Sequence, residues 1–267
     1  MIKLIATDLD GTVLGPDFKF RDRTLDALRA ARAAGVEIVY VTGRPHRWLD
    51  PVREQLEYDS VAICSNGAVV YDVAREEVVQ AETVPTDVIL DLHSELRRFL
   101  PHAHYSTETL EGVVSEPGWP QTNLLETGKR TIGDLPDLLS EKSRIIKFLV
   151  RDDSMDPRAL YDVVREAAED KVSVTHAVAN MPLAEIGQPG LSKGRTLSRW
   201  CAAEGIGPEE VLAFGDMPND TTMLQWAGHG YAMASGWPDV IQAVGRTCPG
   251  FEEDGVAQVI EELLERD

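Results

Sequence analysis

Two aspartates stand two residues apart in Asp8-Leu9-Asp10-Gly11-Thr12, directly after the apolar run from Ile2 to Ala6. If a strand ends there and the chain turns through Gly11, both carboxylates point into the crevice where α/β sheets bind ligands. One can attack phosphorus while the other moves protons. Asp, Gly and Thr after a strand are also ordinary turn residues, so the pentapeptide needs support from elsewhere. Three further predicted strand ends supply it: Thr42-Gly43-Arg44, Ser65-Asn66-Gly67, and Gly215-Asp216-Met217-Pro218-Asn219-Asp220.

Cleavage of a phosphate ester needs a nucleophile, a proton donor for the leaving oxygen, and positive charge around the non-bridging oxygens. Asp8 is the expected nucleophile, and Asp10 the acid that later serves as base. Asp216, at a neighbouring strand end, can be brought opposite Asp8, with Asp220 one helical turn further on. Hard carboxylate oxygens with room for water suit Mg²⁺. Lys193, in Leu191-Ser192-Lys193-Gly194, opens a predicted helix whose free N–H groups already favour an anion. Arg44 is a second candidate cation. Thr42 can donate its hydroxyl to phosphate, and Asn66-Gly67 reads equally as a tight turn.

The charge balance sharpens this reading. The 267-residue chain carries 45 acidic against 26 basic residues, a net charge of −19, which disfavours nucleic acid and anionic membrane as partners. A small phosphorylated substrate then needs a local positive centre, and Mg²⁺ with Lys193 provides it. Cys64, Cys201 and Cys248 are odd in number and lack any CxxC spacing, so they are expected as reduced packing residues. The N-terminal apolar run is interrupted by Lys3, and nothing approaches the length of a membrane span. The expected compartment is the cytoplasm, and no feature fixes an oligomeric state.

Strand and helix must alternate to position these residues. Ile2 to Thr7 is a strand. Asp22 to Ala34 is a helix closed by Gly35, and Val36 to Val41 and Val61 to Cys64 are buried strands. Late in the chain come a helix from Lys193 to Glu204 closed by Gly205, the strand Val211 to Phe214, and an amphipathic helix through Val256, Val259, Ile260, Leu263 and Leu264. The expected class is α/β, a Rossmann-like doubly wound parallel sheet. Between residues 83 and 187 the rhythm changes. One helix from Thr86 to Leu100 has Ile89, Leu92, Leu96 and Phe99 on a stripe, and another opens at Asp156-Pro157. Strand-like runs cover 103–106, 112–115, 144–150 and 171–178. This is an inserted α+β domain, leaving 1–82 and 188–267 as the core. His176 falls on the apolar face of its strand and reads as a core histidine; His102 and His104 make a weak zinc signal. His104, Trp119, Lys147 and Thr175 are candidates to line a pocket.

Taken together and in order, the five motifs resemble the haloacid dehalogenase superfamily, in its Cof-type phosphatase branch with a large α/β cap. Glu253-Asp254-Gly255-Val256-Ala257 extends the resemblance nearly to the end, whereas Ala232-Met233-Ala234-Ser235-Gly236 departs from the usual pattern. The resemblance implies Mg²⁺ dependence, hydrolysis of small phosphomonoesters such as sugar phosphates, and a cap over the active site. It implies that Asp10 also offers its backbone carbonyl to the metal, that Thr42 and Lys193 hold phosphate, and that Asn219 and Asp220 complete the surroundings. An aspartate at position 10 argues against the ATPase and dehalogenase branches. A phosphosugar mutase uses the same carboxylates and stays open as an alternative; a non-catalytic sensor of a phosphorylated ligand has no need for Asp10.

Overall fold

The computed structural model describes residues 1–56, 58–120, 129–169, 171–175 and 181–265. It forms two compact units, Met1–Gln80 with Ser192–Asp267, and Ala81–Leu191.

In the first unit the chain begins with β1 (Leu4–Thr7), α1 (Asp22–Ala33), β2 (Glu37–Val41), the short α2 (Asp50–Arg53), β3 (Val61–Cys64), β4 (Val69–Asp72) and β5 (Glu77–Ala81). All four residues of β1 are buried, as expected for a central parallel strand with both faces covered. α1 ends where Ala31, Leu28 and Ala27 have been buried and Gly35 takes φ +88°, a conformation that costs glycine nothing.

The second unit holds α3 (Thr86–Phe99), β6 (His104–Thr109), β7 (Gly112–Ser115), β8 (Lys129–Ile132), α4 (Leu135–Leu138), β9 (Ile145–Arg151), α5 (Pro157–Ala168), β10 (Ser173–Thr175) and β11 (Leu183–Gly187). Its six strands run in the order β10-β11-β9-β6-β7-β8. Ile89, Leu92 and Leu96 of α3 and Leu160, Val164 and Ala168 of α5 share one core with Tyr105, Phe148, Val150, Ala184 and Ile186. Asp156 caps α5, its carboxylate accepting from the N–H of Arg158 and Ala159, which satisfies two donors that every helix start leaves open. The opposite sheet face carries His104, Lys147 and Thr175, since His104 is in register with Arg151, Glu108 with Lys147, and Thr175 with Glu185. A buried ion pair joins Lys147 to Glu185 at 3.0 Å.

The chain then returns to the first unit with α6 (Lys193–Ala203), β12 (Val211–Gly215), α7 (Thr221–Trp226), β13 (His229–Met233), α8 (Pro238–Val244), β14 (Thr247–Cys248) and α9 (Gly255–Leu264). The eight-stranded sheet has the order β14-β13-β12-β1-β2-β3-β4-β5. β12, β1, β2 and β3 are mutually parallel, so Asp8, Thr42, Ser65 and Asp216, each following one of them, emerge along one sheet edge. β1 pairs on one side with β2 and on the other with β12. The strand order thus reverses beside Asp8, at the kind of switch point where α/β sheets bind ligands. Leu4, Ala6, Val39, Val41 and Ala213 pack with Leu197 of α6, Met223 of α7 and Val240 of α8. α1 and α9 are joined by Arg23 and Glu261.

Two expectations need correction or qualification. Phe99 is 61% exposed, and Leu100, at 5%, takes its place on the stripe of α3. At about 100° per residue, Leu100 falls almost in line with Ile89, whereas Phe99 points well to one side. Of the strand expected over 171–178, Ser173–Thr175 is extended, while His176 lies outside the described residues. The sequence reading had no place for β4, β5, β8, β11, β13 or β14. All three cysteines are free and buried. No helix among the described residues is long and apolar enough to cross a membrane.

Candidate active site

Asp8 leaves β1 with its N–H donating to the Phe214 carbonyl, 2.9 Å away, so the sheet register itself fixes its backbone. Its side chain is buried. The next residues form a compact loop in which the N–H groups of Thr12, Val13 and Leu14 converge on the Leu9 carbonyl. Gly11 turns this loop at φ +78°, and a Cβ there would lie 2.7 Å from Asp216 Oδ2. Position 11 therefore requires glycine on both conformational and steric grounds.

Lys193 reaches the same point from the first residue of α6, whose N-cap Ser192 accepts from the Arg195 N–H. The Lys193 ammonium donates to Asp8 Oδ1 and to Asp220 Oδ1, each at 2.6 Å. The other oxygen of Asp220 accepts from the backbone N–H groups of Asp216 and Met217, at 3.1 and 2.9 Å, so Asp220 both pairs with Lys193 and shapes the loop that carries Asp216. Thr12 donates to Asp216 Oδ1 at 3.4 Å, a long contact.

Asp8, Asp216 and Asp220 each offer one oxygen within 4.8 Å of the others. Burial, with the neighbouring carboxylates, pushes the Asp8 carboxyl well above its ordinary range despite the opposing pull of Lys193. Burial and Asp220 raise Asp216 to about 7. Burial works against the charge on Lys193, but Asp220 and Asp8 outweigh it and hold the ammonium protonated. The Lys193 ammonium opposes the shift of Asp216 without cancelling it. A pocket of crowded oxygen donors short of positive charge fits a hard divalent cation such as Mg²⁺.

A second group of residues lies along the same edge. Arg44, nearly buried, donates through Nε to Asp10 Oδ2 at 2.7 Å and through Nη2 to Asp10 Oδ1. Arg44, expected as a second cation for phosphate, is thus engaged by the side chain of Asp10. The Asp10 carboxylate is 51% exposed and turned to Arg44, and the acidic cluster is Asp8, Asp216 and Asp220. The planar guanidinium outcompetes other donors because it satisfies both carboxylate oxygens at once.

Thr42 is buried, and its hydroxyl oxygen accepts from the Arg44 N–H at 3.1 Å, which leaves its proton free to be donated. Ser65, Asn66 and Gly67 follow β3 with φ of +50°, +58° and +109°, three successive residues in the left-handed region. Backbone bonds from Ser65 to the Arg44 carbonyl and from Asn66 to the Thr42 carbonyl hold this turn against the loop after β2. Asn219 Nδ2 donates to Asn66 Oδ1 at 2.9 Å. A Cβ on Gly43 would stand 3.2 Å from that same oxygen. Strained backbone of this kind persists where surrounding bonds over-determine it and clusters at functional sites.

The catalytic, phosphate-binding and metal-binding candidates from the sequence thus lie along one sheet edge, in two groups: Asp8, Lys193, Asp216 and Asp220, and Asp10, Thr42, Gly43, Arg44, Asn66 and Asn219; His104, Trp119, Lys147 and Thr175 belong to the second unit. Sequence reasoning assigned no task to Thr12, Phe18 or Thr196. Thr12 touches Asp216, Phe18 covers Arg44, and Thr196 donates to the Gly67 carbonyl at 2.9 Å. Thr196 sits one helical turn after Ser192, a spacing that was the available signal.

A parallel sheet with acidic residues at adjacent strand ends and a lysine at a helix start defines a phosphoryl-transfer class of site. The chain belongs to the haloacid dehalogenase-like hydrolases, whose family model matches residues 5–260. Within that family it is a phosphatase of the Cof type. It is 29% identical to pyridoxal phosphate phosphatase YbhA of Escherichia coli (strain K12), over 97% of each chain. It is also 29% identical to 5-amino-6-(5-phospho-D-ribitylamino)uracil phosphatase YitU of Bacillus subtilis (strain 168), over 98% of this chain and 97% of that one. A solved haloacid dehalogenase-like hydrolase from Bacteroides thetaiotaomicron shares the fold at a TM-score of 0.82 and 24% identity, over 98% of this chain and 100% of that one.

Proposed function

We propose that this phosphatase is Mg²⁺-dependent and hydrolyses small phosphomonoesters, sugar phosphates or related metabolites, through an aspartyl-phosphate on Asp8. The observation that carries the reading is the convergence of Asp8, Asp216 and Asp220 around the Lys193 ammonium. Asp8, Asp216 and Asp220 would hold the cation, with the Asp10 backbone carbonyl joining them by resemblance. Bound there, it supplies positive charge to the non-bridging phosphate oxygens.

The chain's own groups do the rest. An Asp8 oxygen attacks phosphorus, the bond from phosphorus to the ester oxygen breaks, and that oxygen takes a proton from Asp10. Water then attacks the aspartyl-phosphate, its proton passes to Asp10, and the bond from phosphorus to Asp8 breaks, releasing inorganic phosphate. Lys193 keeps Asp8 oriented. In this proposal the Thr42 hydroxyl and the amide groups of Asn66 and Asn219 hold phosphate oxygens.

The second unit, 83–187 in the sequence reading, is the specificity domain in this proposal. His104, Lys147 and Thr175 share one sheet face, which supports their selection as contacts for the part of the substrate beyond phosphate. The named relatives act on pyridoxal phosphate and on a ribityl phosphate, in keeping with small phosphorylated metabolites. Phosphate release from p-nitrophenyl phosphate and a panel of sugar phosphates, with Mg²⁺ or EDTA, tests the proposal. Release that EDTA leaves untouched, or isomerised sugar phosphate in place of free phosphate, overturns it.

A further inference from the structure

The treatment of Arg44 is out of proportion to a residue that merely adds charge. Its side chain is 6% exposed, yet it faces a carboxylate that is 51% exposed. Two of its nitrogens grip both oxygens of Asp10, while the third, Nη1, is buried without a hydrogen-bond partner among the described residues. The ring of Phe18 lies 4.5 Å from the guanidinium carbon. Phe18 itself adopts φ +61°, a strained conformation for a residue other than glycine.

That strained residue is pinned from two sides. Its N–H donates to the Gly15 carbonyl at 3.0 Å. The Gln55 side chain donates to the Phe18 carbonyl at 3.0 Å and accepts from the Phe20 N–H at 3.1 Å. The loop therefore spends local strain to press an aromatic face onto the arginine. Cation–π contact on one face and a bidentate fork in the plane together restrict how a guanidinium can turn.

We infer that Arg44 is a positioning residue for Asp10, held in place by Phe18, and that it sets the direction in which the Asp10 carboxyl group meets the leaving group. The inference rests on the phosphatase reading, in which Asp10 gives a proton to the ester oxygen. The fork holds both Asp10 oxygens, and Phe18 lies against the guanidinium that makes it, so the orientation of the carboxyl group follows from Arg44. A lysine has the charge but cannot make two parallel bonds.

The test is a comparison of kcat/KM for an alkyl phosphate, whose alkoxide needs a proton to leave, and p-nitrophenyl phosphate, whose phenolate does not. This quantity ends at the departure of the alcohol, so later hydrolysis of the aspartyl-phosphate does not enter. Arg44→Lys lowers the alkyl-to-aryl ratio by about 10²-fold, the scale set by a misplaced catalytic group. Phe18→Leu lowers it less, and Asp10→Asn, which removes the proton, lowers it at least as much as Arg44→Lys. An unchanged ratio overturns the inference. If both esters instead lose equally with weaker inhibition by inorganic phosphate, Arg44 is a phosphate contact; if both lose equally with a lower melting temperature, its part is structural. Crystal structures of Arg44→Lys and Phe18→Leu supply an arm independent of turnover: the Asp10 carboxylate leaves its observed orientation, and an unmoved Asp10 sinks the idea. Absence of turnover by the wild-type enzyme counts against the phosphatase reading, while that crystallographic arm still decides the role of Arg44.

Discussion

Lys193 Nζ stands 2.6 Å from Asp8 Oδ1 although 185 residues separate the two in sequence. Each is nearly sealed from solvent, so each charge depends on the other. A buried ammonium without carboxylates, or clustered carboxylates without a cation, is strongly unfavourable. The site is for that reason a joint product of β1 and α6.

Replacing Asp8 by Asn retains the shape and removes the proposed nucleophile. Phosphate release falls by at least about 10³-fold, while Asp220 continues to hold Lys193. A phosphate-release assay, together with a circular dichroism spectrum matching wild type, checks this outcome.

Lys193→Met leaves Asp8, Asp216 and Asp220 facing one another with no internal cation. The metal-free variant loses about 3–5 kcal/mol, the usual cost of breaking a buried pair. Thermal melting in EDTA reads the loss, and added Mg²⁺ recovers a larger share of the melting temperature in the variant than in wild type.

Asp216 links stability to pH. Its folded value of about 7 stands above the ordinary 3.8, so the folded protein keeps a proton that the unfolded chain releases between these values. The stabilisation from this group is fully present below about pH 4 and is lost as pH rises through about 7. Asp8, shifted in the same direction, adds to the loss. A divalent cation competes with those protons, so its affinity rises over the same interval. Melts in EDTA at pH 5 and pH 8, repeated with Mg²⁺, check both signs; a metal effect no larger at pH 8 contradicts the assignment.

Gly67→Ala places a methyl 2.7 Å from the Ser192 carbonyl and the Thr196 hydroxyl at φ +109°. The variant is destabilised by about 1–3 kcal/mol. Because the displaced turn carries Asn66, inhibition by inorganic phosphate also weakens, and an inhibition constant equal to wild type contradicts that placement.

Much of this was legible in the sequence because the site is built from backbone ends. Buried parallel strands read as short apolar runs, as at Val61–Cys64, and the residues just past the end of each run must lie on one edge. The pairing of Arg44 with Asp10 was not legible, since two loops 34 residues apart meet only through the β1–β2 register. β8, Lys129-Arg130-Thr131-Ile132, has no apolar alternation to mark it as a strand. Phe99 misled because its size marked it as apolar, whereas the helical angle favoured Leu100.

The partnership of β1 with β12 also has a history within each molecule's synthesis. β1 is made well before β12, its second neighbour, which follows the whole of the 81–191 unit. At 5–20 residues per second, one side of the nascent strand waits on the order of 10–40 s for its partner. During that interval an apolar strand edge is open to other chains. Chaperone occupancy and codon pace between these two strands therefore bear on yield as directly as any side chain in the finished enzyme.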